Sequence, residues 1–294
     1  MRLISAVLRV PVSMVAAAAL LVAVPAAAAD PVIAGAARAT YDPFSGAAVA
    51  VALTVSVDLE GEATGILRIR PADNGPYALE GEGPSLAFIL KSDAGSAAAS
   101  GSLVIPVDSP RASMRFEVFV PAGQYAQAGL RAVSLEAQLF DAAGAPVSGP
   151  SRFIAEIDVA ARAQANIAGA SGVWGSQGSL AFIDFGELDS HETATAALQV
   201  RATTDVVITA WSDHLGRMIH VDHPQSAAEP GFSIAYRFSL DGVSSALTGP
   251  MILNRAPAPS LDGISYPILI TLDDANGLYA GTYLDTLNIE VTAR

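Results

Sequence analysis

The residues able to do chemistry in this sequence are few. Its four histidines are His191, His214, His220 and His223, and the last three fall within ten residues, beside Asp213 and Asp222. A metal site needs two or three such ligands on one strand face or across a turn. Here His220 and Asp222 share a strand face while His223 points oppositely, so the spacing matches no tight ligand pattern and reads as solvated loop polars. Asp273-Asp-Ala-Asn-Gly277 starts like a calcium loop but lacks the later glutamate, and reads as a turn. Gly81-Glu-Gly-Pro lacks both the following glycine and the helix that a phosphate cradle uses. There is no Gly-x-Ser-x-Gly elbow. With no cysteine there is no thiolate ligand, no thiol nucleophile and no disulfide. No catalytic residue, metal ligand or cofactor is assigned, and the chain is read as a non-enzyme.

What remains is a set of aromatic residues beside turns. Tyr41-Asp-Pro-Phe44, Asn74-Gly-Pro-Tyr77 and Pro121-Ala-Gly-Gln-Tyr125 place Tyr41, Phe44, Tyr77 and Tyr125 next to Gly and Pro. Gathered at one end of a domain they would form an adhesive surface. Tucked inward, each would plug a corner of its own domain.

The elements that must carry these residues are set by composition. The 294 residues suffice for one large domain or two ordinary ones. Half are apolar, 15% are charged, Gly and Pro fill 25 and 18 positions, and Lys91 is the one lysine. Such a chain is no disordered tail. Its formal charge of −13 excludes nucleic acid as a partner, because phosphate binding needs clustered Lys and Arg. Residues 1–29 read as a cleaved secretory signal: Arg2 and Arg9, an apolar run over 12–24, then Pro25 and four alanines before Asp30. Its removal leaves 14 basic and 29 acidic residues, a charge of −15.

Beyond the signal, period-two alternation dominates. Val49, Val51, Leu53, Val55, Val57 and Leu59 fall on one face, and further strands are expected over 66–70, 86–90, 103–107, 114–120, 133–140 and 153–159. The stretch 160–178, rich in Ala, Gly, Ser and Asn, has no alternation. A second set of strands follows over 180–185, 193–202, 205–211, 233–240, 264–272 and 282–291. The expected fold is all-β: two immunoglobulin-like sandwiches in tandem, over 30–160 and 179–294, joined by a linker over 161–178. An internal echo links them. Ala128-Gly129 precedes Leu135, Ala137 and Leu139; Ala280-Gly281 precedes Leu287, Ile289 and Val291 at identical offsets. The first unit continues through a turn, Gly144-Ala-Pro-Val-Ser-Gly-Pro150, into one more alternating strand, whereas the second stops at Arg294. The C-terminal sandwich is therefore expected to lack its last strand. Such a domain exposes unpaired N–H and C=O groups and an apolar groove, and another chain can supply the strand.

Leu180-Ala-Phe-Ile-Asp-Phe-Gly-Glu-Leu, Gly216-Arg217-Met218, Tyr236-Arg-Phe-Ser-Leu-Asp-Gly242 and Ala280-Gly-Thr-Tyr-Leu-Asp-Thr-Leu-Asn-Ile-Glu-Val-Thr-Ala293 together resemble the spore coat protein U-like pilin domains of archaic chaperone–usher pili. The likeness covers 176–294, while the first unit resembles the family only faintly. Pilin domains of that family often carry a disulfide, which this chain cannot form. The resemblance implies an incomplete sandwich, completed first by a strand of a periplasmic chaperone and then, past an outer-membrane usher, by the adjacent pilin subunit. It implies export through the periplasm to a cell-surface pilus. A two-domain chain of this kind resembles a tip adhesin, binding a host or abiotic surface in attachment and biofilm formation. The donor-strand groove is expected along Phe182, Phe185, Leu287, Ile289 and Val291. Two other readings stay open. One is a shaft or adaptor pilin, with residues 30–44 as the donated strand. The other is a freestanding exported glycan-binding protein or hydrolase built on two complete sandwiches.

Overall fold

A computed structural model of the protein describes residues 29–35, 38–59, 64–168, 174, 180–256 and 258–294. The expected signal up to residue 28 and part of 161–178 lie outside the described residues. Among the described residues the regular structure is β-strand apart from two short 3-10 turns, and no helix is long and apolar enough to cross a membrane. The all-β expectation holds, as two tandem sandwiches.

The first sandwich runs through β1 (Ala29–Ala34), β2 (Arg38–Tyr41), β3 (Val49–Asp58), β4 (Gly65–Pro71), β5 (Ala78–Leu79), β6 (Leu86–Ala87), β7 (Ile89–Ser92), β8 (Ala97–Ala98), β9 (Leu103–Val107), β10 (Arg111–Val120), β11 (Gly129–Phe140) and β12 (Ser151–Val159). Its sheets have the orders β1-β3-β10-β7-β8 and β2-β12-β11-β4-β9. The strict alternation of β3 explains its place. Val51, Leu53, Val55 and Val57 all turn to the core, with at most 5% exposure, and β-branched residues suit the pleated surface. Leu67, Ile69, Phe116, Val118, Leu135, Leu139, Ala155 and Ile157 meet them from the other strands.

The second sandwich runs through β13 (Ala163–Ile167), β14 (Thr193–Ala202), β15 (Val206–Ser212), β16 (Arg217–His220), β17 (Ser233–Leu240), β18 (Val243–Ser245), β19 (Met251–Arg255), β20 (Ile264–Leu272), β21 (Tyr283–Leu284) and β22 (Leu287–Ala293). One sheet has the order β13-β14-β20-β17-β16-β21, with β18 on β17; the other is β19-β15-β22. A separate core forms around Leu198, Val200, Ile208, Phe238, Leu240, Ile268 and Leu272.

The structure adds β1, β2, β5, β8, β16, β18 and β19 to the expected strands, divides the expected 282–291 into β21 and β22, and differs at two further segments. The stretch 161–178 holds β13, which pairs antiparallel with β14. All five residues of β13 are half-buried, so no alternation marks it in the sequence. Residues 181–189, expected to open with a strand, form none.

Only residues 160–162 separate β12 from β13, and they are tied down. The fully buried Thr203 donates its hydroxyl to Ala160 O (2.7 Å) and accepts from the Arg162 N–H (2.8 Å). Its backbone N–H donates to Arg162 O, and its carbonyl accepts from Ala128 N–H of the first sandwich at 2.7 Å. Arg162 Nε also reaches Asp42 Oδ2 at 3.1 Å. Thr203→Val keeps the shape but strands two backbone groups. It is expected to cost about 1–3 kcal/mol, read as a lower urea midpoint; an unchanged midpoint would show the junction to be idle.

Candidate functional site

The two sandwiches share one plan over six strands. In chain order and in pairing, β14, β15, β17, β19, β20 and β22 match β3, β4, β7, β9, β10 and β11. The match extends to register. In the first sandwich Leu67, Ile69 and Pro71 of β4 pair with Leu139, Ala137 and Leu135 of β11. In the second, Ile208, Ala210 and Ser212 of β15 pair with Val291, Ile289 and Leu287 of β22. The echo in the sequence is therefore an echo in register, and the burial patterns of β4 and β15 are identical.

The plans part at the next strand. In the first sandwich β12 runs antiparallel to β11 on one side and parallel to β2 on the other. Under it Leu135, Ala137 and Leu139 have no exposure at all. In the second sandwich β22 pairs with β15 alone among the described residues. Leu287, Ile289 and Val291 pack on the second core yet stay half-buried. Covering them fully recovers part of the ~1.5–3 kcal/mol that each large apolar side chain gains on burial. The unpaired edge adds backbone groups worth about 1 kcal/mol for each hydrogen bond made.

The missing strand also explains residues 181–189. They lie between β13 and β14, where the first sandwich has β2, and β2 has β12 as its sole strand partner. With no counterpart of β12 among the described residues, this segment has no strand there to join. Phe182 is 87% exposed and Leu180 66%, while Phe185 is half-buried against the second core. Of the five expected groove residues, four pack on the core beside the open edge and Phe182 stands in solvent.

Strand β22 is pinned at its start by a buried carboxylate that sequence reading missed. The Asp285 side chain is 4% exposed. Its Oδ2 accepts from Ser212 Oγ and Tyr236 OH, each at 2.6 Å. Its Oδ1 accepts from the Thr286 N–H at 2.7 Å and the His214 N–H at 3.2 Å, and lies 3.0 Å from His214 Nδ1. One side chain thus ties β15, the turn after it and β17 to the entry of β22. Burial above all, and donation to Asp285, push the Tyr236 phenol far above its ordinary value.

The four aromatic candidates divide. Tyr41 is 1% exposed and shares hydrogen bonds with Gln124, donating to its carbonyl at 3.0 Å. It is a corner plug. Phe44 lies under the Arg201 guanidinium at 4.8 Å, and Tyr125 OH donates to Ala202 O at 3.2 Å. Both reach into the second sandwich, at the domain junction rather than on a free surface. Tyr77 lines an open cleft. His214 lies on Asp285, whereas His220 and His223 are neighbours. His220 Nδ1 accepts from the Asp222 N–H and its Nε2 faces Ala280 O, with both distances 3.2 Å. His223 stacks near it at 5.0 Å. No cluster of potential metal ligands occurs among the described residues.

No protein-family model and no curated protein matches the sequence. Solved structures to which the chain is similar include the chaperone–tip adhesion subunit pre-assembly complex of the archaic chaperone-usher Csu pili of Acinetobacter baumannii. It has 13% identity and a TM-score of 0.42 over 90% of this chain and 98% of that one. CfaE, the adhesive subunit of CFA/I fimbria of enterotoxigenic Escherichia coli, has 9% identity and a TM-score of 0.35 over 86% and 76%. AggA, the major subunit of aggregative adherence fimbriae type I from Escherichia coli, has 13% and 0.33 over 44% and 93%. All are distant likenesses.

The Tyr236 phenol gives a pH signature. Its folded pKa is raised above the unfolded value of about 10. Its contribution is therefore complete below pH ~10 and lost as pH rises past it, by at most ~1.4 kcal/mol per pH unit. Urea midpoints at pH 8 and pH 11 are expected to fall less in Tyr236→Phe than in the wild type; equal falls would refute the assignment. Asp285→Ala, which strands the Ser212 and Tyr236 hydroxyls, is expected to destabilise the second sandwich by on the order of 3 kcal/mol.

Proposed function

We propose that this chain is a non-enzymatic subunit of a surface pilus, assembled by the chaperone–usher pathway through donor-strand complementation, and that it is the tip adhesin in attachment and biofilm formation. One observation carries the reading: the second sandwich repeats the first in topology and register, but among the described residues its β22 edge is bare where β11 is covered by β12. A donated strand placed as β12 is placed would run antiparallel to β22, seal Leu287, Ile289 and Val291, and give residues 181–189 a strand to join. Main-chain hydrogen bonds supply affinity in such an addition, and alternate side-chain pockets supply specificity. A periplasmic chaperone, an outer-membrane usher and the adjacent pilin subunit are the partners this implies.

The tip position is favoured over a shaft position by the place of residues 30–44. Their strands β1 and β2 are paired with β3 and β12 inside the first sandwich. Donating them would open the domain that holds them.

The first sandwich supplies the probe. A peptide of the β12 sequence, Ser151-Arg-Phe-Ile-Ala-Glu-Ile-Asp-Val159, already fits the register that β22 shares with β11. Added to the mature chain, it is expected to raise the unfolding midpoint in proportion to its concentration over Kd. Ile289→Arg, placing a charge in the groove, is expected to abolish that gain. In cells, soluble yield is expected to depend on co-expression of the chaperone. A chain that is stable and monomeric alone, and unmoved by the peptide, would overturn the reading.

A further inference from the structure

The outer face of the β11-β4-β9 sheet in the first sandwich carries two adjoining clefts that share Arg70. The larger, about 290 Å³, is walled by Tyr77, Asn74 and the backbone of Gly101. This is near the lower end of the ~300–1,000 Å³ typical of small-ligand sites. The smaller, about 80 Å³, is lined by Arg68, Glu136 and Phe140.

The site is built, not incidental. Arg70 donates through Nε to Glu136 Oε1 at 2.7 Å and through Nη1 to Asn74 Oδ1, which fixes its guanidinium in place. Tyr77 OH donates to Gly101 O at 3.1 Å, and its ring packs on Phe88, with 5.1 Å between centroids. The exposed part of that ring is therefore a rigid wall. The loop between holds two successive non-glycine residues in the left-handed region, Asp73 at φ 57° and Asn74 at φ 56°. Strain of this kind concentrates at ligand sites.

Electrostatics choose the ligand. Arg70 and Arg152 are matched by Glu136 and Asp73. Arg68 has no carboxylate within ion-pair distance among the described residues, and lies over the Phe140 ring at 4.3 Å. Its guanidinium is half-exposed and lines a cleft; Arg201 and Arg217 also lack an acid at that distance, but they donate to Gln164 and Ser233. The stacked ring leaves the guanidinium edge free for a bidentate carboxylate.

We infer that this double cleft binds a carboxylate-bearing sugar residue of a surface glycan, with the carboxylate on Arg68 and the sugar ring against Tyr77. Asn74 and the Gly101 backbone offer hydrogen-bonding groups to ring hydroxyls. The inference deepens the adhesive part of the reading above by naming a ligand class, and it uses no residue of the β22 groove.

The test is titration calorimetry of the full mature chain with trigalacturonate and with 3′-sialyllactose. Binding to at least one is expected. Arg68→Met is expected to weaken it about ten- to a hundredfold, the range for losing a charge-assisted pair. Tyr77→Ala is expected to weaken it too. Methyl-esterified trigalacturonate, or lactose for the sialylated ligand, is expected to bind at least tenfold more weakly. Binding of neither sugar, equal binding of the charged and uncharged forms, or full affinity in Arg68→Met would overturn the inference. Sodium acetate competing on equal terms with the sugars would reduce the site to a simple anion site and also overturn it. Circular dichroism checks the folding of each variant. Sugar binding is expected to be the same with and without the β12 peptide, so failure at the groove and failure at the cleft are read separately.

Discussion

A backbone N–H or C=O at the edge of a sheet has to find a partner strand or remain in water, and the side chains beneath that edge share its fate. Much of the architecture follows from how the two sandwiches meet this constraint. In the first, β12 lies between β11 and β2 and satisfies both, so three apolar residues of β11 vanish from the surface. In the second, nothing occupies that position among the described residues. Its consequences appear together: half-covered Leu287, Ile289 and Val291, a segment over 181–189 without a strand, and solvent-facing Leu180 and Phe182.

A strand open on one side must be held by other means. Hydrophobic burial cannot serve, since the burial is incomplete, and there is no cysteine for a covalent tie. Asp285 takes that role. A single carboxylate accepts from two hydroxyls and two backbone N–H groups drawn from β15, β17 and the turns beside them. Burying such a group costs little here because its donors are complete. The edge is thereby presented in register while it remains unpaired.

Much of this is legible in the sequence because alternation is a local property. Strands β9, β14, β17 and β20 coincide with their alternating runs, and the Ala-Gly echo marks β11 and β22, whose registers match. Where local signal and tertiary need diverge, the sequence misleads. Leu180 to Phe185 has strand character, but a strand needs a neighbour, and none is present among the described residues. Strand β13 has no alternation because it is half-buried on every residue. Tyr41 and Tyr125 look like surface aromatics beside turns, yet their hydroxyls find partners 83 and 77 residues away. The Asp285 network joins residues up to 73 apart, and no spacing rule brings them together.

The three-residue connection at Thr203 bears on how the molecule behaves under tension. A long linker would act as a slack cord, letting the first sandwich swivel freely and aim its cleft at random. A tether of residues 160–162, clamped by Thr203, Arg162 and Ala128, behaves as a stiff coupling. Torque and pull applied to one sandwich pass straight to the other. If the second sandwich is held in a pilus as proposed, the way it is held sets the direction in which the Arg68 cleft faces.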